Sequence, residues 1–226
     1  MIQVMRTNEP IVLKDNKRNW TKEYLSALKS YRASGSEKTL ARKKAAEGKY
    51  NHKMIREQLI LMCHGKCVYC ESHIIHVDYP HIEHFRPKSL FPQSCFTWKN
   101  LFLGCSICNG ASYKADKFPS AKEGGLFINP GLEDPTVFFD FTFDPKTGVS
   151  DVSPKNRRGR TTEKELGLNR PGLLKHRNPV VKKLAFIALL AKNGNAQALR
   201  ELKDSMQPDQ EYSAFAMAFH RKLKLP

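Results

Sequence analysis

Cys67-Val68-Tyr69-Cys70 and Cys105-Ser106-Ile107-Cys108 enclose Ile82-Glu83-His84-Phe85-Arg86-Pro87 and Asn100-Leu101, with Asn109 immediately after, and this stretch decides the fold. Two Cys-x-x-Cys pairs supply the four soft thiolates of a tetrahedral structural zinc site, which staples segments too short to bury a core of their own. The 34 residues between Cys70 and Cys105 exceed the usual ribbon spacing and leave room for a hairpin carrying Glu83 and His84.

Each enclosed residue has a chemical and a structural reading. An imidazole with a pKa near 6.5 deprotonates water at neutral pH, so His84 is a candidate general base, although a lone histidine is often structural. Glu83 offers the hard carboxylate oxygen that magnesium prefers, or is a solvated strand residue. Neighbours on a regular strand face opposite ways, so Glu83 and His84 share a site only where the strand ends or bulges. Asn109 is expected to start a helix, as its N-cap or as a neutral oxygen ligand. Asn100, two residues after Trp98, is a turn residue or the amide that orients His84. Cys63, four residues before Cys67, is a small buried residue or a substitute ligand, and Cys95 is unassigned.

A chain of 226 residues, 40% apolar and 27% charged, has the composition of a soluble globular protein with one core or two small ones. No apolar run reaches the roughly 18 to 20 residues that cross a bilayer, and the opening Met-Ile-Gln-Val-Met-Arg lacks a secretion signal, so the cytoplasm is the expected location. Cysteines paired as CxxC in a reducing compartment read as metal ligands, not disulfides. The net charge of +16 is uneven: residues 1–60 carry 14 basic against 6 acidic side chains, residues 155–183 carry 10 against 2, and residues 61–154 carry 8 against 10. Basic flanks around a slightly acidic centre suit a polyanion, or form a solvated surface that maintains solubility.

Trp20, Tyr24, Leu25, Leu28 and Tyr31 lie at helical spacing within residues 18–33, with Thr21 a cap. A second helix bearing Met54, Leu59, Leu61 and Met62 leads to the first knuckle. Arg42-Lys43-Lys44 reads as a basic helix face, residues 124–154 as short strands and loops, and residues 175–192, 196–206 and 211–223 as packing helices. The expected organisation is α+β: a basic helical region (1–60), a zinc-stapled core (61–130), and a loop and strand segment followed by helices (131–226).

Taken together, Cys-x-x-Cys, Ile-Glu-His-Phe-Arg-Pro-Lys, Trp-x-Asn-Leu and Cys-x-x-Cys-Asn resemble the ββα-metal core of HNH endonucleases, in the variant whose third position is Asn. The resemblance implies that His84 is the water-activating base, that Glu83 and Asn109 hold a catalytic Mg2+ or Mn2+, that Asn100 positions the histidine, and that Cys67, Cys70, Cys105 and Cys108 hold a structural Zn2+. Some HNH enzymes place a further histidine where this chain has Tyr113, and Asp116 stands nearby as a possible assistant. Arg86, Lys88 and Lys114 would contact the nucleic-acid backbone. Gly65 to Glu71, Lys117-Phe118-Pro119, Leu126 to Pro135 and Leu166-Gly167-Leu168-Asn169-Arg170 extend the likeness to the PtuB-like HNH subunits of Septu-type bacterial anti-phage defence systems, which also occur beside retrons. That family implies a PtuA-like SMC- or ABC-type ATPase partner and a nucleic-acid substrate, DNA by default with an RNA such as tRNA as the alternative. A non-catalytic zinc finger that binds nucleic acid or another subunit is the competing class, and it predicts no dependence on Glu83 or His84. Phe215, Met217 and Phe219 belong either to the core or to a docking surface.

Overall fold

A computed structural model describes residues 1–76 and 79–226. The first helix, α1 (Ile11–Ser34), starts directly after Pro10 and buries Leu13, Tyr24 and Ala27. Thr21 is therefore not a cap but lies in mid-helix, its hydroxyl donating to the Lys17 carbonyl at 2.6 Å. Gly35 ends α1 in the left-handed conformation (φ 62°), and Ser36 caps α2 (Glu37–Glu47), which carries the basic Arg42-Lys43-Lys44 face. In α3 (Lys53–Met62) the inward stripe is Ile55, Leu59 and Met62. Met54 and Leu61, expected inside, are 40% and 66% exposed because they fall off the stripe that Leu59 and Met62 define.

Two short antiparallel hairpins follow. Strand β1 (His81–His84) pairs with β2 (Leu101–Gly104), setting His81 opposite Gly104 and His84 opposite Leu101. Strand β3 (Phe139–Asp144) pairs with β4 (Val149–Pro154). Helices α4 (Arg157–Leu166), α5 (Pro171–Lys192), α6 (Ala196–Ser205) and α7 (Ser213–Lys222) complete the chain. A largely polar α4 has almost no apolar signal; it buries Gly159, Thr162 and Leu166 and is capped by the Asn156 side chain. Phe215 and Phe219 are buried, which gives the end of the chain a packing role.

The α+β class holds, but the helix expected after the second knuckle is absent. From Cys105 the backbone makes one turn, Asn109 N–H to Cys105 O at 3.1 Å, and Lys114 N–H then folds back to Cys108 O at 3.2 Å. Gly110, Ser112 and the positive φ of Ala115 (39°) disfavour helix, and a buried Lys114 draws the segment inward. Asn109 consequently caps nothing. Among the described residues, no helix is long and apolar enough to cross a membrane.

Buried apolar residues from Met1 to Phe219 form one continuous cluster, and polar contacts beside it anchor the four-cysteine segment. Lys66 donates to Gln210 O at 2.6 Å, and Ser72 hydrogen-bonds Tyr212 at 2.9 Å, so the C-terminal helices lean on the first knuckle. Arg6 donates to the carbonyls of Leu101 (2.6 Å), Lys99 (2.8 Å) and Trp98 (3.1 Å), with its guanidinium 3.8 Å from the Phe102 ring centroid. That one residue fixes the entry to β2. Asn129-Pro130-Gly131 closes over it, where a Cβ on Gly131 would lie 3.0 Å from Arg6 Nε.

Candidate functional site

Cys67, Cys70, Cys105 and Cys108 are buried, and their sulfurs lie within 4.8 Å of one another. A zinc ion bound at about 2.3 Å sets its tetrahedral sulfurs about 3.8 Å apart, so the four residues fit a closed structural site. Val68 N–H to Leu103 O at 2.9 Å ties the first knuckle to the hairpin. Cys63 and Cys95 stand outside the cluster, and burial raises their thiol pKa values to about 11 and about 12.

Arg170 backs the cysteine cluster, a contact that spacing alone does not reveal. Arg170 donates to Cys108 Sγ at 3.4 Å and lies 5.2 Å from the centre of the Tyr113 ring, placing a fixed cation beside a negatively charged cluster. Gly167, left-handed at φ 56°, leaves space for that ring, since an added Cβ would sit 2.0 Å from Tyr113 Cε1. Tyr113 is thus held on the four-cysteine side of the hairpin. Gly167→Ala is expected to combine left-handed strain with a steric clash and to destabilise by about 2 kcal/mol or more, visible as a lowered melting temperature.

On the other side, Glu83, His84, Asn109 and Asp116 line one cleft of about 410 Å³, together with Tyr50, Arg56, His81 and Lys88. Strand β1 ends at His84, and this end lets Glu83 and His84 open on the same space. A Cβ built on Gly104 would lie 3.2 Å from the Glu83 Cβ and 3.9 Å from the Asn109 Cβ, so the two oxygen-bearing side chains flank one strand position. Their carboxylate and amide oxygens are the hard donors that Mg2+ or Mn2+ takes.

His84 is 5% exposed, its ring edge-on to Tyr50 with centroids 4.6 Å apart. Its Nε2 is 3.0 Å from the Cys95 carbonyl. A carbonyl only accepts, so Nε2 carries the proton and Nδ1 is left as the basic atom. Burial, then the nearby Lys88 ammonium, lower the ring's pKa to about 3; the Cys95 hydrogen bond opposes this and Lys114 adds to it. His84 is accordingly neutral at physiological pH. The folded pKa lies below the unfolded value of about 6.5, so the unfolded chain takes up the proton first, and the His84 contribution to stability, full above pH ~6.5, is lost as the pH falls toward 3. Unfolding free energies from urea titrations are expected to fall more steeply with acidification for wild type than for His84→Gln over this window, by up to about 1.4 kcal/mol per pH unit.

The Asn100 amide hydrogen-bonds to backbone groups and not to the His84 ring. Its Oδ1 accepts from Arg86 N–H at 2.8 Å, and its Nδ2 donates to Arg86 O and Ser94 O, each at 3.1 Å. It closes the loop that presents the Cys95 carbonyl, while Trp20 and Tyr24 of α1 pack edge-on against the adjacent Phe96. Asn100→Ala strands three backbone groups in a buried setting, and a loss of about 3 kcal/mol in unfolding free energy is expected.

The basic residues separate. Arg86 is exposed, and Lys88 reaches the cleft with Glu47 Oε1 3.4 Å behind it. Lys114, expected on a phosphate backbone, is fully enclosed: its Nζ lies 2.5 Å from Glu83 Oε1 and donates to His84 O at 2.9 Å. Tyr69 donates to the same Glu83 oxygen at 2.9 Å.

No family model matches the chain. It is similar to the Septu protein PtuB of Bacillus mycoides (strain KBAB4), 28% identical over 208 residues, which cover 80% of this chain and 68% of that relative. It is also 28% identical to the Septu protein PtuB of Bacillus thuringiensis over 173 residues, 75% of this chain and 55% of the relative. The PtuB-like resemblance read in the sequence is borne out by both.

Proposed function

We propose that this PtuB-like chain is the nuclease component of a Septu-type anti-phage defence system and that it hydrolyses phosphodiester bonds in the Glu83–His84–Asn109 cleft. The observation that carries the reading is the placement of His84, held through Nε2–H by the Cys95 carbonyl and lining one cleft with two oxygen donors, Glu83 and Asn109.

His84 Nδ1 takes a proton from a water that attacks phosphorus in line with the departing oxygen. A magnesium or manganese ion held by Glu83 and Asn109 would supply charge stabilisation at the phosphate and the leaving oxygen. The Cys95 carbonyl, held by Asn100, keeps the ring from turning, and Nε2–H···O strengthens as the imidazole gains charge. Arg86 and Lys88 would hold the backbone without reading bases, giving weak sequence preference and steep salt dependence. The four-cysteine zinc takes no part in the chemistry.

A PtuA-like ATPase would gate the cleft during infection, with DNA as the default substrate. Plasmid DNA and total RNA, each incubated with the zinc-loaded protein and Mg2+ or Mn2+, with and without an ATPase encoded beside it, identify the polymer. Fragmentation of either supports the reading; intact polymers in the presence of the ATPase and its trigger refute it.

A further inference from the structure

Lys114 is placed where the cleavage chemistry does not ask for a lysine. Its side chain has no exposed area, and it bridges the Glu83 carboxylate, 2.5 Å away, to the carbonyl of His84 at 2.9 Å. An isolated buried ammonium is costly, and replacing a buried ion pair by apolar groups is often neutral or stabilising, so stability alone is a weak account of this pair.

We infer that Lys114 is an internal counter-ion that competes with the catalytic cation for Glu83, so that the cleft holds a divalent ion weakly by itself and firmly only when a phosphate of the nucleic acid joins the site. The inference rests on the cleavage reading and deepens it by assigning an order of assembly to the site. Of the two side chains proposed to hold the ion, Asn109 is neutral and Glu83 carries one charge that the Lys114 ammonium already balances, while Tyr69 donates to the same oxygen. Around the cleft stand Arg56, which hydrogen-bonds Tyr79 and Asn51, and Lys88, whose partner Glu47 is shared with Lys43; Asp116 lines the same cleft. A magnesium site with so few protein charges draws its remaining ligands from water and substrate phosphate, and here the ammonium lowers the affinity of the unliganded cleft further.

Manganese binding without nucleic acid tests this, read as loss of the free-ion electron paramagnetic resonance signal on zinc-loaded protein. Lys114→Met keeps the stem and removes the charge, and Lys114→Gln keeps a hydrogen-bond donor. Both are expected to bind Mn2+ at least tenfold more tightly than wild type, and adding Glu83→Gln is expected to abolish the gain. Equal affinity of wild type and the Lys114 variants overturns the inference while leaving the metal site standing. Absence of Mn2+ binding in every variant at millimolar ion overturns the metal-site reading and the inference with it. Zinc content and melting curves establish that the variants are folded. Should neither fold, the wild type decides: Mn2+ held more tightly than about 10 µM with no nucleic acid refutes the competition, and a dissociation constant on the order of 1 mM supports it.

Discussion

Cys105→Ser is expected to cost the chain its fold. Cys105 directly follows β2, and the hairpin it closes has strands of only four residues each. A two-stranded hairpin of that length is marginal in water, so the covalent geometry of the knuckles supplies what the strands do not. A structural zinc site contributes on the order of 10 kcal/mol at neutral pH, comparable with the whole stability of a typical domain. Loss of bound zinc, measured by atomic emission, and loss of a cooperative melting transition are the expected results, and a strong chelator should reproduce them in wild type. Cys63 gives the contrast: it is buried but outside the cluster. Cys63→Ala should keep its zinc and lose only about 1 kcal/mol. A Cys105→Ser protein that melts like wild type with its full zinc would refute the staple.

His84→Ala is expected to lower the cleavage rate by 10² to 10⁴ while leaving zinc content unchanged, the range typical for removing a general base. The size of the effect follows from how His84 is held. Nε2 is committed to the Cys95 carbonyl, and Tyr50 and β1 enclose the ring, so among the described residues no other side chain lining the cleft has a ring nitrogen fixed in this way. His81 lines the same cleft but is exposed, one pleat away from Glu83. His84→Gln restores a hydrogen-bonding group without a basic nitrogen and should be as inactive as the alanine variant. Recovery of activity in His84→Gln would make the histidine a structural residue.

The four thiolate positions were legible because CxxC spacing is a local chemical signal, and the structure brings them together as expected. Long apolar stripes likewise revealed α1, α5, α6 and α7. Partnerships across the chain were not legible. Arg6 is 95 residues from Leu101, and Arg170 is 62 residues from Cys108, so nothing near either arginine announces its acceptor. Lys114 looked like a phosphate contact because basic residues near a nuclease motif usually are solvated; its burial depends on where the chain turns after Gly110. That same turn replaced the expected helix, a tertiary demand overriding the extrapolation of a motif. Asn100, expected to orient the imidazole, instead hydrogen-bonds the backbone of Arg86 and Ser94 in the loop before Cys95.

Cleavage by zinc-loaded wild type, Glu83→Ala and His84→Ala, run side by side on the same polymer with Mg2+ or Mn2+ and the ATPase present, tests the central claim most directly. Fragmentation by wild type that is lost in both variants is the predicted result. Fragmentation at the wild-type rate in either variant would place the chemistry outside this cleft.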